Sequence, residues 1–156
     1  MVLAINSVNN GGNAVVSADG TIIEYQPAAD FFGMEVINYT LSDGAGGTDT
    51  AEISVSVTST PDAPNAENDA AEVDEDESVT IMVLANDVDV DGDTLSVISA
   101  NVDTGVVAIN ADDELVYTPE ANFNGTAIIT YTIDDGTGLV DSASVTVAVR
   151  DVNDSP

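Results

Sequence analysis

A repeat of 92 residues sets the strongest limit on how this chain of 156 residues can fold. Pro64 and Pro156 are 92 residues apart, and the same spacing relates identical residues along the chain without gaps. A repeat of this length indicates a structural module, so the chain holds one full copy and part of another. The matched pairs are Tyr25 and Tyr117, Pro27 and Pro119, Phe31 and Phe123, Gly33 and Gly125, Tyr39 and Tyr131, Asp43 and Asp135, and Ala51 and Ala143.

The residue pattern inside each copy is typical of β-strands. In the last apolar run, Val145, Val147 and Val149 alternate with smaller or polar residues, as in a sheet with one buried face. We predict seven strands in the full copy, over 70–73, 79–85, 95–100, 106–110, 114–118, 126–133 and 143–149. In the incomplete copy we predict five strands, over 3–8, 14–17, 22–25, 34–41 and 51–57.

Seven short strands per full module predict an all-β fold, a Greek-key sandwich of the immunoglobulin-like kind. The proline-rich stretch at 61–64 predicts a domain boundary, because prolines stop strands and stiffen linkers. We therefore expect an incomplete module at 1–62, which lacks the first two strands, and a complete module at 63–156. A permuted frame stays open, because residues 1–93 also contain one copy of every strand type.

The charge of the chain excludes several classes of function. A single basic residue, Arg150, stands against 29 acidic residues, and the formal net charge is −28. Nucleic acid and anionic membrane surfaces are therefore not expected partners, whereas cations are. The absence of His, Cys and Lys removes imidazole and thiolate metal sites, disulfides and Schiff-base chemistry. Without an apolar run approaching 18 residues, no membrane span is expected.

The stretch at 86–93, with sequence NDVDVDGD, predicts a cation site. Its five acidic or amide side chains lie within eight residues, and neighbouring carboxylates repel by about 1 kcal/mol per pair even in water. Calcium accepts six to eight oxygens in flexible geometry, which suits such a loop. Two alternatives are a solvated surface turn and an EF-hand, but the EF-hand would need a Glu where Ile98 stands.

The full copy resembles the bacterial cadherin-like repeats, which are grouped with other immunoglobulin-like repeats of giant secreted adhesins. The resemblance implies tandem cadherin-like sandwiches in a large extracellular protein, with calcium held at module junctions. It rests on VDED at 73–76, VLAND at 83–87, YTP at 117–119, FNG at 123–125, Tyr131, DG at 135–136 and DVNDSP at 151–156.

The same resemblance implies that calcium ligands come from three places that meet at a junction. These are the acidic entry of a module, its Asp-rich loop, and a linker like the cadherin Asp-x-Asn-Asp-x-x-Pro element. The internal linker departs from that element, because Ser59 and Pro61 replace its Asp and Asn. Residues just downstream could then supply oxygens instead. The candidate ligands are Asp62, Asn65, Asp69, Glu75, Asp76, Asp87, Asp89, Asp91, Asp93, Asp135, Asp151, Asn153 and Asp154.

These features predict a non-enzymatic, calcium-binding stalk module on the bacterial cell surface, an excerpt of a longer secreted protein, whose partners are calcium ions and neighbouring repeats. The alternative is a calcium-dependent module that binds polysaccharide or another cell surface, either by itself or appended to a secreted enzyme. The recurring tyrosines and phenylalanines could stack on sugars, but we interpret them as core residues. The open edge of the incomplete module further suggests a strand-swapped homo-oligomer.

Overall fold

The computed structural model describes residues 2–153, which fall into two compact units, 2–60 (unit 1) and 61–153 (unit 2). The predicted all-β fold is confirmed. No helix among these residues has the length and apolar character needed to cross a membrane.

Unit 1 contains five strands arranged in two sheets. One sheet has the order β1-β4-β5 and the other pairs β2 with β3. All neighbouring strands in both sheets are antiparallel. The strands are β1 (Val2–Val8), β2 (Asn13–Val16), β3 (Ile23–Gln26), β4 (Gly33–Ser42) and β5 (Thr48–Val57).

Unit 2 contains seven strands, also in two sheets. One sheet has the order β6-β12-β11-β8, in which β6 runs parallel to β12, and the other has the order β7-β10-β9. Crossing between sheets after β6 gives the two-layer arrangement expected of the sandwich. The strands are β6 (Asp69–Asp74), β7 (Val79–Ile81), β8 (Ser96–Val102), β9 (Val106–Ile109), β10 (Leu115–Thr118), β11 (Gly125–Asp134) and β12 (Val140–Arg150).

One predicted strand, over 79–85, is wrong in its second half. The strand ends at Ile81, and Val83–Ala85 form a short 3-10 helix instead. The apolar alternation continues through Val83, which is fully buried, although the backbone has already turned. This turn keeps Val83 in the core and directs the following acidic residues to the end of the sandwich.

The core of unit 2 closes between its two sheets. Tyr117 and Tyr131 are wholly buried, which agrees with the interpretation of the recurring aromatics as core residues. Val145 and Val147, on the inward face of β12, are also inaccessible to solvent. Two side chains from the first strands, Val73 and Ile81, belong to the same core cluster.

Unit 1 repeats this arrangement without the counterparts of β6 and β7, so its core stays partly open. Ile53 and Val55 stand where unit 2 has Val145 and Val147, yet they are only half-buried. Of the hydrophobic residues described in unit 1, only Ile37 is buried as a core residue. A carboxylate, Glu35, is fully buried where unit 2 has Ala127, and it accepts hydrogen bonds from three backbone N–H groups and the Tyr25 hydroxyl.

In each unit a glycine packs under the first repeated tyrosine, and the two glycines show where the offset between the copies differs from 92 residues. A Cβ on Gly105 would lie 2.9 Å from the Tyr117 ring, and one on Gly12 would lie 2.6 Å from the Tyr25 ring. Each glycine therefore makes room for the tyrosine that packs over it. These two glycines are 93 residues apart, so the structural offset grows by one residue around β2 and β9.

We predict that shortening matched valines will affect the two units unequally. Val147→Ala should lower the free energy of local unfolding around β12 by about 2 kcal/mol, because it removes two fully buried methyl groups. Val55→Ala, at the matched position on β5, should cost less than about 1 kcal/mol because Val55 is already half-solvated. Amide hydrogen exchange of each strand measures both values, and equal losses would contradict this description of the two cores.

Candidate metal centre

Three aspartates between β7 and β8 bring their carboxylates together at one end of unit 2. Asp89, Asp91 and Asp93 each offer an oxygen atom, and these atoms lie within 4.8 Å of one another. Two oxygens on opposite sides of one calcium ion are separated by about 5 Å, since each lies about 2.3–2.6 Å from the ion. The spacing of the three carboxylates therefore fits a shared calcium ion.

The loop holds this geometry through its own backbone. Asp89 Oδ1 accepts hydrogen bonds from the N–H groups of Asp91, at 2.8 Å, and Asp93, at 3.2 Å. Gly92 has φ of +80°, which a residue with a side chain rarely adopts, and its N–H donates to the Asp89 carbonyl at 3.3 Å. Side-chain capping and the glycine together fold three acidic residues onto one side of the turn.

The second oxygen of Asp89 lacks a partner. Asp89 Oδ2 is inaccessible to solvent and accepts no hydrogen bond among residues 2–153. A buried carboxylate oxygen without a donor or a cation is costly, because it has lost its hydration. This oxygen is thus free to bind a cation while Oδ1 organises the loop.

The segment that enters unit 2 lies against the same loop. The Asp62 N–H donates to Asp91 Oδ2 at 2.8 Å. Asn65 and Val88 exchange backbone hydrogen bonds of 2.8 and 3.1 Å in an isolated bridge. Two candidate ligands from the linker, Asp62 and Asn65, are therefore placed beside the acidic loop.

A second carboxylate group surrounds the Tyr131 hydroxyl. This oxygen lies 2.9 Å from the Glu67 carbonyl, 3.1 Å from Asp69 Oδ2 and 3.2 Å from Asp87 Oδ2. One hydroxyl proton cannot satisfy three acceptors at once, so the oxygens of Asp69 and Asp87 compete for it. Asp69 and Asp87 therefore also lie where a proton or a cation would lower the repulsion.

The pKa values of these acids shift in the direction that crowding predicts. Burial raises the pKa of Asp87, and the charges of Asp141 and Glu67 add to the increase. Burial likewise raises the pKa of Asp69, with a further contribution from the charge of Asp87.

The pKa values of Asp93 and Asp135 shift in opposite directions, although both residues lie at this end of the unit. Desolvation and the charges of Asp89, Asp135 and Asp91 raise the pKa of Asp93. Burial works to raise the pKa of Asp135, but its hydrogen bonds from Thr137 and from backbone N–H groups outweigh burial, and the net effect is to lower the pKa. Asp135 is therefore first a turn-forming residue, held within its own loop, and it acts on Asp93 through its charge.

The remaining candidate ligands lie at the other end of unit 2. β6 separates Asp69, at its start, from Glu75, just after its end, and a strand of six residues spans roughly 20 Å. The expected meeting of Glu75 and Asp76 with the Asp-rich loop of their own module therefore does not occur. Glu75 is buried and accepts the Val152 N–H at 2.7 Å instead.

The C-terminal candidates lie at this far end too. Asp151 accepts a hydrogen bond of 3.4 Å from the Asn124 side chain, and Asp76 accepts one of 3.4 Å from the Asn122 N–H. Asn153 is exposed. Asp154 lies outside the described residues.

Sequence reasoning missed three residues at the Tyr131 group, namely Tyr131 itself, Glu67 and Asp141. The Tyr131 hydroxyl binds both carboxylates, and Asp141 accepts the Ala66 N–H at 2.9 Å through Oδ2. A signal for Asp141 was present, because Asp49 precedes it by 92 residues. Nothing in the sequence indicated that a core tyrosine would carry its hydroxyl to the acidic end of the sandwich.

Comparison with known proteins identifies relatives of this fold. A family model described as bacterial Ig domain matches residues 1–56 and 61–148. Mouse cadherin-23 EC22-24 has a TM-score of 0.58 at 16% identity, covering 97% of this chain and 53% of that chain. Human mucin-like protocadherin EC1-2 has a TM-score of 0.56 at 14% identity, covering 96% and 85%. At these identities the likeness is one of fold.

An endo-fucoidan hydrolase from glycoside hydrolase family 107 is also similar, with 20% identity and a TM-score of 0.42. The match covers 96% of this chain but 24% of that chain, so this chain spans about a quarter of the hydrolase. No curated protein sequence matches the chain.

We predict that Tyr131→Phe will destabilise unit 2 by about 1–3 kcal/mol, because half-buried Asp69 and buried Asp87 lose their shared hydroxyl donor. Tyr39→Phe, at the matched position in unit 1, should change stability much less, since Tyr39 is only half-buried. Chemical denaturation of both variants in a chelator measures the difference. A Tyr131→Phe protein as stable as the parent would contradict the assigned hydrogen bonds.

We also predict that the calcium-free protein becomes more stable as the pH falls from 7 toward 3.8, the ordinary value for Asp. Asp69, Asp87 and Asp93 have a raised pKa in the folded protein, so protons bind the folded state more tightly than the unfolded chain. The lowered pKa of Asp135 acts in the opposite direction, but only below 3.8.

Thermal unfolding in a chelator at several pH values measures this trend. Asp87→Asn should flatten it, whereas Glu120→Gln, which removes one charge from an exposed residue at the other end of unit 2, should not. A melting temperature that falls steadily over this pH range would contradict the assignment.

Proposed function

This chain belongs to the bacterial Ig domain family, and we propose that it serves as a non-enzymatic, calcium-binding repeat module in the stalk of a large extracellular protein. The observation that carries the proposal is the group of Asp89, Asp91 and Asp93, with the partnerless oxygen of Asp89 buried inside it. Such a group is unfavourable by itself and favourable around a divalent cation.

Oxygen-only ligands and irregular geometry favour calcium over other metals. The group of Asp89, Asp91 and Asp93 offers carboxylate oxygens, which suit hard cations, whereas many transition metals prefer nitrogen or sulfur donors. Magnesium demands a near-ideal octahedron with shorter bonds, and a loop of alternating aspartates and valines adapts more easily to the larger ion. Calcium supplies two positive charges and six to eight coordination positions.

The residues of the entry segment give calcium binding a mechanical consequence. Asp91 both faces the proposed ion and accepts the Asp62 N–H, so ordering Asp91 also fixes the start of unit 2. The backbone of Asn65 also forms hydrogen bonds with the backbone of Val88, which lies in the same loop. We infer that bound calcium stiffens residues 61–65 against the loop and thereby limits the bending of a tandem stalk.

The proposed calcium site suits an extracellular setting. Calcium sites of extracellular modules have dissociation constants of about 0.1–1 mM, so they fill only where calcium is abundant. At about ten times such a dissociation constant, or about 1–10 mM calcium, binding stabilises a module by about 1.4 kcal/mol, a substantial part of the stability of a small domain. Calcium therefore acts as a structural component of the proposed stalk.

Recognition of sugars by the repeated aromatics of unit 2 receives no support from their positions. Tyr117 and Tyr131 are buried in the core, and Phe123 packs against it while half-buried. Stacking on a sugar requires an exposed ring face, so these residues serve packing. The proposed stalk role needs no such platform.

We predict that Asp89→Asn will weaken calcium binding about tenfold or more, because a neutral amide replaces the buried anionic ligand. Glu120→Gln removes the same formal charge from an exposed site at the other end of unit 2 and should leave the affinity within about twofold. Isothermal titration calorimetry at constant ionic strength measures both constants. Equal affinities in the two variants would show that calcium binds only through the general charge of the chain.

A further inference from the structure

We propose that unit 1 is a strand acceptor. Its open groove binds an added segment of the β6–β7 type, which runs parallel along β5, antiparallel along β3, and inserts apolar side chains between the two sheets. This inference is independent of calcium, because it concerns the core and strand edges of unit 1.

The first observation is the groove itself. A cavity of about 300 Å³ is lined by Leu3, Thr21, Ile23, Tyr39, Leu41 and Ile53. The apolar lining residues correspond to buried core residues of unit 2, since Leu3 is opposite Leu41 as Val97 is opposite Ile133. These core residues are Val97, Leu115, Tyr131, Ile133 and Val145.

The second observation is what fills the equivalent space in unit 2. Val73 from β6, Ile81 from β7 and Val83 from the following turn belong to the same core cluster as Leu115, Tyr131 and their neighbours. Each of these three side chains is buried. Unit 2 thus shows which kind of segment covers a groove of this composition.

The third observation is that β5 of unit 1 has a free edge equivalent to the edge of β12 that pairs with β6 in unit 2. β4 and β5 pair in the same register as β11 and β12, since Gly33 faces Val57 as Gly125 faces Val149. In unit 2 the outer edge of β12 pairs with β6, from Val145 opposite Asp69 to Arg150 opposite Asp74. Within unit 1, the outer edge of β5 has no strand beside it.

The free edge of β3 provides the second pairing site for an added segment. Its counterpart β10 pairs with β7, which places Leu115 opposite Ile81 and Tyr117 opposite Val79. In unit 1, β3 pairs only with β2 among the described strands. Backbone groups on both edges are therefore available to an incoming chain, as in other complexes formed by strand addition.

A second copy of this chain is a poor source of the segment. Residues 2–153 contain two acceptor frameworks, β1–β5 and β8–β12, but one β6–β7 segment. Exchange of that segment between copies would therefore leave one of the two frameworks open and would expose the buried core of unit 2. The occupant is instead an additional stretch of polypeptide, with apolar residues at the spacing of Val73, Ile81 and Val83.

The test adds a synthetic peptide with the sequence of residues 69–85 to the whole 156-residue protein. Hydrogen exchange read by mass spectrometry should show saturable protection of 53–57 and 23–25, with exchange slowed about tenfold or more. Residues 145–149 of unit 2 should not change. The control peptide carries Val73→Asp, Ile81→Asp and Val83→Asp, and it should not protect the edges.

Four results would overturn the proposal. They are a lack of protection by the parent peptide, equal protection by the control peptide, changes confined to β12, and dimers without peptide whose β5 edge is already protected. The last result would identify a second copy as the occupant. Sedimentation of the protein alone separates that result from the expected peptide-dependent protection.

Discussion

Carboxylate repulsion at one end of unit 2 is the constraint on which the rest of the structure depends. Asp89, Asp91 and Asp93 converge in one loop, and Asp69 and Asp87 converge on one tyrosine hydroxyl. The sole basic side chain cannot balance them, because Arg150 lies at the other end of β6, where it contacts Glu72 and Asp74 at 3.5 and 2.9 Å. Balancing charge must therefore come from protons or metal ions.

The same strand pattern gives different burial in the two units because burial depends on what lies opposite. Ile53 and Val55 alternate as Val145 and Val147 do, yet only the second pair is closed to solvent. The difference is the presence of β6 and β7, whose side chains fill the space between the sheets. Unit 1 also buries Glu35 where unit 2 has the small apolar Ala127, and the hydrogen bonds to Glu35 offset the cost of burying its carboxylate.

Much of the fold could be predicted from the sequence, because alternation and turn residues are local signals. The approximate position of every strand followed from them, and the one error, beyond Ile81, arose where Val83 kept the alternation although the backbone turned. The Asp-rich loop was also predictable, since its ligands are adjacent in sequence. Glu75 was expected near that loop, although the strand between them implied that they lie at opposite ends of the unit. The role of Tyr131 was not predictable, because it depends on contacts between residues 44 and 62 positions apart in the sequence.

Long-wavelength X-ray diffraction from crystals grown in calcium tests the central claim most directly, since the anomalous signal locates the ion itself. We expect a calcium peak bound by Asp89, Asp91 and Asp93, at about 2.3–2.6 Å from their carboxylate oxygens. A structure with calcium in the crystallisation solution and no peak among these three side chains would contradict it.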